Sequence, residues 1–320
     1  MHGARSRPDN VLLRMPRVAV FGPNPVLSVS VDARGGGDDV HVHAGGQGVW
    51  VSRMAGELGA EPVLCGLLGG ETGAVLEGLL APMPGERRMV AAGGSSGCYV
   101  VDRRDGTRKV IAFAPAPPAS RHEVDELVAT TVAAALESEL LVICNAFPGD
   151  AIPDEVYGAL AGDVRANGRP VIVDLSSPRL DTVLDARPDL VKLNDWELAE
   201  FVHGPVDPPK LMLAAAGILL ERGARSVLVT RGGEPALWLD GDAEPRLVIP
   251  PRFERGKREG CGDSMMGAIA AMLAEGRPLE EAIVVGAAAG AANFLQAGLG
   301  TGDRDTVERL ARRVEIAPYP

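Results

Sequence analysis

The strongest chemical signal in the sequence is the segment Gly260-Cys261-Gly262-Asp263, which runs directly into the apolar stretch SMMGAIAAML. Glycines let backbone N–H groups turn toward one point, and the amino end of a helix adds partial positive charge. Such a segment can hold an anion such as a phosphate. An aspartate beside that anion could accept a proton from a substrate hydroxyl. The alternative is that Asp263 only caps the helix, which is a common role for aspartate.

A second segment, KLNDWE, runs from Lys192 to Glu197. Asn194 and Glu197 lie three residues apart at the predicted start of a helix, so their side chains project on the same side. Oxygen ligands of this kind suit Mg²⁺, usually through water and beside substrate phosphates. The alternative is an ordinary capping box, with the asparagine as N-cap and the glutamate at the third helical position.

A third segment places a glycine turn after a predicted strand. The strand ends at Thr230, and the turn that follows contains Gly232 and Gly233. Ligands of open α/β sheets bind at the carboxyl ends of the strands, which favours a binding role for this turn. A plain hairpin turn would give the same pattern.

A fourth segment, Gly45-Gly46-Gln47, opens a predicted helix after two short alternating strands. Backbone without side chains allows a ligand to approach closely, although a glycine-rich turn alone is a weak signal.

Several classes of protein are excluded. The sequence contains no GxxxxGK[ST] motif, which argues against a Walker-A NTPase. It contains no GxGxxG followed by an acid about 20 residues on, which argues against a dinucleotide-binding fold. It also contains no GxSxG motif, which argues against an α/β-hydrolase. The net charge is −11 and there is no dense basic run, so nucleic acid and anionic membranes are not expected partners.

The location of the protein is predicted to be the cytoplasm. The amino terminus has no apolar segment of the length that a secretory signal needs. The four cysteines, Cys65, Cys98, Cys144 and Cys261, are widely spaced and are expected to be reduced thiols. The uncharged stretch from Ala282 to Gly302 is rich in Ala and Gly and is predicted to be a buried core helix rather than a membrane span.

The elements that must position these residues alternate between short apolar strands and helices, which predicts βαβ units and a mostly parallel sheet. Strands that alternate between apolar and polar residues cluster at about residues 26–44 and 97–114, and they predict a small accessory sheet. We therefore expect an α/β protein in which residues 17–320 form one domain with a small β lid. Residues 1–16 are predicted to be a flexible tail.

Taken in order, these segments resemble the ribokinase/PfkB-type carbohydrate kinase family. Gly45–Gly59 is similar to its N-terminal signature, and Lys192–Glu197 is similar to its K-P-N-x-x-E element. Gly260–Asp263 resembles its G-A-G-D signature with Cys261 in place of Ala, and residues 298–302 also fit. The resemblance extends from about residue 17 to 315. Asn24–Leu27, Ala44–Gly48 and the segment 114–127 look most like the 1-phosphofructokinase and tagatose-6-phosphate kinase branch.

The resemblance implies a ribokinase-like fold and ATP-dependent phosphoryl transfer to a sugar hydroxyl. It implies that Asp263 is the base and that the amides of Gly260, Cys261 and Gly262 help to form the anion hole. Asn194 and Glu197 would organise Mg²⁺ through water. The residues by the nucleotide would be Lys192, Thr230, Gly232 and Gly233. The lid would pair two copies of the chain into a homodimer.

The sequence departs from the branch on the acceptor side. Gln47 stands where the branch has Lys, Ser28 stands where it has Asp, and residues 96–99 read SGCY where it has T-R-I-N. We hypothesise that the acceptor is a sugar or a similar hydroxyl compound other than fructose 1-phosphate or tagatose 6-phosphate. Its contacts are predicted to be Ser28, Gly45, Gly46, Gln47 and Tyr99.

Two alternatives remain open from the sequence. The first is a true 1-phosphofructokinase that uses other cations, such as Arg34, Arg103, Arg104 or Arg108. The second is a non-catalytic sugar- or nucleotide-binding regulator on the same fold. The presence of Asp263 counts against the second, because a protein that only binds its ligand needs no base.

Overall fold

The structure is a computed structural model, and it describes residues 15–146, 151–207, 209–296 and 302–320. Most of the predicted tail and of the segment 298–302 lies outside these ranges. The strands are β1 (Arg17–Phe21), β2 (Val26–Arg34), β3 (Gly37–Gly45), β4 (Glu61–Leu68), β5 (Glu86–Ala91), β6 (Cys98–Asp102), β7 (Lys109–Ala114), β8 (Leu140–Cys144), β9 (Val171–Asp174), β10 (Leu190–Asn194), β11 (Ser226–Arg231), β12 (Glu234–Asp240), β13 (Arg246–Ile249) and β14 (Glu315–Pro318).

Helices connect and cover these strands. They are α1 (Gln47–Glu57), α2 (Gly70–Leu80), α3 (Arg121–Leu136), α4 (Asp154–Ala166), α5 (Arg179–Val183), α6 (Asp195–Phe201), α7 (Pro209–Glu221), α8 (Cys261–Ala274), α9 (Leu279–Leu295) and α10 (Arg304–Ala311).

The larger sheet of the described residues has ten strands in the order β14-β13-β12-β11-β10-β9-β8-β1-β4-β5. The pairings from β11 to β5 are parallel, and β12, β13 and β14 add to the β11 side as antiparallel strands. The mostly parallel α/β fold predicted from the sequence is therefore confirmed.

Alternate residues of the strands face two separate cores, because side chains along a strand point to opposite faces of a sheet. Val18 and Val20 of β1 pack with α1, α8 and α9 on one face, whereas Ala19 and Phe21 pack with α3 and α4 on the other. Burial on both faces explains why β1, β8 and β9 are almost continuously apolar.

The middle of this sheet brings together residues that are distant in the sequence. The neighbouring strands β8, β9, β10 and β11 are parallel, so their carboxyl ends lie at the same edge. Lys192 of β10 is in register with Asp174 of β9, and Asn194 is in register with Thr230 of β11. Polar residues at the ends of apolar strands thus converge at one place.

The smaller sheet has the order β3-β2-β6-β7 and corresponds to the predicted lid segments. Each hairpin is antiparallel, and the two hairpins are joined by parallel pairing of β2 with β6. Ser28 and Tyr99 are partners in that pairing, so they share the face of the sheet that is turned inward, and each is only 8% exposed.

The sequence patterns missed β5, β13, β14, α5 and α10. β5 and β14 are the two edges of the larger sheet, and such strands are only partly buried. Their composition is accordingly mixed and shows no long apolar run.

None of the helices in the described residues is long and apolar enough to cross a membrane. The uncharged stretch that begins at Ala282 lies in α9, where Ala282, Ile283, Ala288 and Ala289 are completely buried. The prediction of a core helix is therefore confirmed over the described part of that stretch.

Candidate active site

A cleft of about 740 Å³ lies at the carboxyl ends of the central strands. It collects most of the site residues that were predicted from separate segments of the sequence. Those that line it are Gln47, Lys192, Asn194, Glu197, Thr230, Gly232, Gly233, Cys261, Gly262 and Asp263.

The amino end of α8 forms one wall of this cleft. Gly260 is the N-cap residue, with a φ of 75° that favours glycine, and no side chain caps the helix. Asp263 lies in the first turn of the helix, so the alternative that this aspartate is merely the cap is wrong. The first N–H groups of a helix have no partner within it. In α8 the Cys261 N–H donates to the carbonyl oxygen of Arg258 at 3.3 Å, and the next amides of the first turn can face an anion.

A cluster of charges lies beside this helix end, in which Asp174 and Lys192 are buried and Glu197 and Asp263 are partly exposed. Lys192 Nζ is 2.5 Å from Asp174 Oδ2, and a Cβ atom on Gly262 would lie 2.8 Å from the same nitrogen. The glycine thus leaves room for the ammonium group under the turn. Asp174, Glu197 and Asp263 together supply three carboxyl groups against one ammonium group, so the cluster has an excess of acid.

The pKa values of the cluster follow from burial and from this excess of acid. Burial, and then the carboxylate of Asp174, raise the pKa of Asp263 to about 7, although Lys192 opposes the shift. Burial and Asp174 also raise the pKa of Glu197. For Lys192, burial lowers the pKa, but the neighbouring carboxylates outweigh it and the pKa rises. The lysine therefore stays charged, and Asp263 can gain or lose a proton near neutral pH.

Sequence reasoning missed Asp174 as a site residue. It was predicted only as the last residue of a strand. An acid that ends a fully buried strand at the ligand-binding edge of a parallel sheet was a usable signal.

Asn194 and Glu197 form the capping box that the sequence left open as an alternative. The Asn194 side chain accepts hydrogen bonds from the N–H groups of Trp196 and Glu197, at 3.0 and 2.9 Å, and Glu197 Oε2 accepts one from the Asn194 N–H at 2.8 Å. The asparagine oxygen is therefore already used, whereas Glu197 has a second carboxylate oxygen.

The donor set fits Mg²⁺ held mainly by water and nucleotide phosphates. In the part of the chain that the structure describes, no group of three or more His, Cys, Asp and Glu side chains is arranged to hold a metal by itself. Mg²⁺ does not need such a cage, because it is usually bound through one or two carboxylates together with substrate phosphates. The carboxylates of Asp174 and Glu197 both line the cleft.

The glycine turn after Thr230 is the connection of an antiparallel hairpin, β11 to β12, as one of the alternatives predicted. It nevertheless lines the cleft, and Gly232 has a φ of 62°. Arg231 and Arg258 line the same region, and sequence reasoning assigned neither of them to a site. They add positive charge near the turn.

The acceptor-side residues are divided between two places. Gln47 lies in the cleft, where its Oε1 accepts the Asn145 N–H at 2.6 Å, and Asp263 lines the same cleft. Ser28, Gly45, Gly46 and Tyr99 do not line the cleft as the described residues define it. Ser28, Gly45 and Tyr99 belong to the strands of the lid, and Gly46 directly follows β3. A Cβ atom on Gly45 would be 3.5 Å from the Tyr99 hydroxyl.

The second hairpin of the lid reaches the segment that precedes α8. Arg103 Nη2 and Arg108 Nε lie 3.9 and 3.8 Å from Glu259 Oε1, next to Gly260. The other two alternative cations pair with acids of the lid itself, Arg34 with Asp39 at 3.3 Å and Arg104 with Asp102 at 2.8 Å.

Comparison with known proteins finds relatives that match nearly the whole chain. The chain is 30% identical over 315 residues to the ATP-dependent 6-phosphofructokinase isozyme 2 of Mycobacterium tuberculosis, covering 95% of this chain and 91% of that protein. It is 24% identical over 281 residues to the 1-phosphofructokinase of Vibrio cholerae, covering 87% of this chain and 88% of that protein.

The fold has a solved counterpart in phosphofructokinase-2 from Escherichia coli, crystallised in complex with potassium. The TM-score is 0.82 at 27% sequence identity, and the match covers 93% of this chain and 99% of that one. Residues 27–306 match the family described as pfkB family carbohydrate kinase. The family, the ribokinase-like fold and the kinase activity inferred from the resemblance are thereby confirmed, and the chain belongs to the pfkB family of carbohydrate kinases.

Proposed function

We propose that this sugar kinase transfers the γ-phosphoryl group of ATP to a hydroxyl group of its acceptor, with Asp263 as the base. The observation that carries the proposal is the position of Asp263 in the first turn of α8, inside the cleft. There the carboxylate lies beside helix amides that can hold the phosphoryl group. Its pKa of about 7 suits a group that must take a proton near neutral pH.

Each part of the cleft has a separate task in this proposal. The hydroxyl of the acceptor gives its proton to Asp263 as its oxygen attacks the γ-phosphorus. The amides at the start of α8 bind the oxygens of the transferring group, and the cationic side chain of Lys192 offsets their charge. The turn with Thr230, Gly232 and Gly233 lies by the nucleotide. Glu197, with Asp174 nearby, would hold Mg²⁺ through water, and bound Mg²⁺ would neutralise the charge of the ATP phosphates.

The acceptor is proposed to be a hydroxyl compound other than fructose 1-phosphate or tagatose 6-phosphate. Gln47 takes the place of a lysine and is uncharged, and its amide oxygen accepts the Asn145 N–H. Ser28 and Tyr99 supply only neutral hydroxyls on the inner face of the lid. A phosphate pocket that lacks two cations would lose several kcal/mol, at about 1.5–3 kcal/mol for each hydrogen bond to a charged group.

The test is ADP release by the purified protein with Mg²⁺-ATP across a panel of sugars, sugar phosphates and nucleosides. Wild type is compared with Asp263→Asn, which is nearly isosteric but cannot accept the proton. At least one acceptor is expected to stimulate ADP release, and the substitution is expected to reduce that rate by about 10²–10⁴-fold. A panel in which no acceptor exceeds the Asp263→Asn background would overturn the proposal and favour a non-catalytic binder.

One observation favours a second candidate, a 1-phosphofructokinase with relocated cations. Arg103 and Arg108 approach the catalytic segment at Glu259, and Arg108 also lies 5.7 Å from the centroid of the Tyr99 ring. If fructose 1-phosphate proves to be the best acceptor, Arg103→Gln and Arg108→Gln should raise its KM. Arg34→Gln, at a cation that is paired within the lid, should leave the KM unchanged.

We also propose that residues 17–320 form one domain and that two copies pair through the lid into a homodimer in the cytoplasm. The lid carries apolar side chains that are about half exposed, including Val40, Val42 and Ile111 at 57%, 43% and 52%. The four cysteines are unpaired thiols, as expected for a reducing compartment. Light scattering should give the mass of a dimer for wild type and the mass of a monomer for the double variant Val40→Lys/Val42→Lys. A double variant with the same mass as wild type would contradict the lid interface.

A further inference from the structure

Glu259, the acid immediately before the N-cap of α8, faces two arginines of the lid. Arg103 and Arg108 flank the turn between β6 and β7, and Nη2 of the first and Nε of the second lie 3.9 and 3.8 Å from Glu259 Oε1. At such distances the carboxylate attracts both guanidinium groups but makes no hydrogen bond to these nitrogens. Arg103 Nε is also buried without a hydrogen-bond partner among the described residues. The two arginines therefore keep N–H donors that another anion could use.

The body of the protein fixes Glu259 in its place. The carbonyl oxygen of this residue accepts a hydrogen bond from Asn293 Nδ2 of α9 at 2.8 Å. Two residues earlier, the Lys257 N–H donates to the carbonyl oxygen of Phe294 at 2.8 Å. A Cβ atom on Gly256 would lie 2.2 Å from the same oxygen, so this segment packs directly against α9. The carboxylate thus has a defined position, to which the arginines of the lid are drawn.

Arg108 connects this carboxylate to the inner face of the lid. Its guanidinium carbon lies over the Tyr99 ring, 5.7 Å from the ring centroid. Tyr99 is only 8% exposed, and its hydroxyl would lie 3.5 Å from a Cβ atom on Gly45, two residues before Gln47 of the cleft. The guanidinium group therefore lies on the side of the site where the acceptor is proposed to bind.

Glu259 changes what the two arginines can do for an acceptor. Two guanidinium groups without a neighbouring acid would attract a phosphate group, because their N–H donors match phosphate oxygens in pairs. The carboxylate of Glu259 offsets part of their charge and would itself repel a phosphate. An uncharged acceptor would meet neither effect. The arrangement therefore disfavours phosphorylated acceptors relative to neutral ones.

We propose that Glu259 is a specificity-determining residue that disfavours phosphorylated acceptors by occupying Arg103 and Arg108. The inference deepens the proposed choice of acceptor, and it rests on that acceptor binding beneath the lid. It explains how a lid with two arginines close to its inner face can serve an acceptor that carries no phosphate.

The test is calorimetric binding of fructose 1-phosphate and of fructose to the full-length protein without nucleotide. Glu259→Gln keeps the size of the side chain and removes its charge. The variant should bind fructose 1-phosphate about 10-fold more tightly than wild type does, because the arginines become available to the phosphate. Its affinity for fructose should equal that of wild type. Adding Arg108→Gln to Glu259→Gln should cancel the gain.

Glu254→Gln is the matched control, because it removes the same charge from an exposed position of the same segment. An equal gain in Glu254→Gln would show that net charge governs the affinity, and it would overturn the inference. So would an affinity for fructose 1-phosphate that Glu259→Gln leaves unchanged. If Glu259→Gln does not fold, Glu259→Asp, whose side chain is one methylene shorter, should give a smaller gain in the same direction.

A failure of the proposed function would look different. It would appear as full ADP release by Asp263→Asn, whereas the binding measurement requires no catalysis. With Mg²⁺-ATP, Glu259→Gln should lower the KM for fructose 1-phosphate and leave the KM for a neutral acceptor unchanged. A rise in both KM values would show that Glu259 only holds the lid in place, and it would contradict a role in specificity.

Discussion

The ammonium nitrogen of Lys192 lies 2.5 Å from Oδ2 of Asp174, and the two residues are only 5% and 2% exposed. Neighbouring parallel strands place them in register at the floor of the cleft. The pair leaves the amino end of α8 free above it, because Gly262 carries no side chain that would meet the lysine. The lysine is therefore both a structural partner of Asp174 and a positive charge close to Asp263.

Removing the positive member of this pair should destabilise the protein strongly. Lys192→Met keeps the length of the side chain but leaves Asp174 buried beside two other acids, so the free energy of unfolding should fall by about 3–5 kcal/mol. Urea denaturation measures the change. Arg121→Gln, which breaks an exposed ion pair with Asp125, should cost less than about 1 kcal/mol. Equal losses of unfolding free energy in the two variants would show that burial does not make the Lys192–Asp174 pair more important than an exposed ion pair.

The rate of phosphoryl transfer should depend on pH through Asp263. The pKa of this carboxyl is raised to about 7, and only its ionised form can accept a proton. At saturating Mg²⁺-ATP and acceptor, kcat should therefore increase with pH and reach half of its plateau near pH 7. A kcat that stays constant from pH 5.5 to 8.5 would argue that Asp263 is not the base.

The same pKa makes Asp263 a source of instability at alkaline pH. Its folded-state pKa lies above the value of about 3.9 for an unfolded chain, so between these values the folded protein retains a proton that the unfolded chain has lost. The stabilising effect of that proton is fully present only at low pH and is lost as the pH rises through about 7.

Asp263→Asn should consequently unfold at a higher urea concentration than wild type at pH 8, because it has no charge to bury. The difference between the two proteins should shrink toward pH 4. A variant that is less stable than wild type at pH 8 would show that the carboxylate makes compensating contacts stronger than its cost of burial.

Magnesium dependence should report on Glu197. Glu197→Gln keeps an oxygen that can accept the Asn194 N–H, so the helix cap survives while the charge is lost. The Mg²⁺ concentration for half-maximal activity should rise by about 10–100-fold, the usual cost of changing a group that holds a metal through another ligand. Glu200→Gln, an exposed change on the same helix, is the control. Equal Mg²⁺ requirements in both variants would remove Glu197 from the metal site.

Close packing of α8 against α1 should make Gly267 intolerant of a side chain. A Cβ atom there would lie 2.4 Å from the carbonyl oxygen of Val51, so Gly267→Ala should lower the free energy of unfolding by about 1–3 kcal/mol. Gly217 of α7 has no atom within 4 Å of the same position, and Gly217→Ala should stabilise the protein by up to about 1 kcal/mol. Thermal or urea unfolding of both variants checks the two signs.

The sequence by itself determined the α/β fold and the family, and it singled out the segment that carries the proposed base. Those inferences rest on patterns that are local in the chain: short apolar strands, helix periodicity, and the glycines before Asp263. Local patterns are visible because neighbours in the sequence share one helix, strand or turn. The local patterns missed edge strands such as β5 and β14. These strands are only partly buried, so their sequences contain no apolar run.

Only the tertiary structure decided which groups each side chain in the cleft contacts. The sequence could not choose between capping and metal binding for Asn194, and the structure places its oxygen on two helix amides. It could not place Asp174 beside Lys192, since the strand pairing sets that contact. Gln47 and Asp263 are separated by more than 200 residues, and only the packing of α1 against α8 brings both of them into one cleft. Contacts of this kind depend on three-dimensional proximity, which the spacing of residues along the chain does not encode.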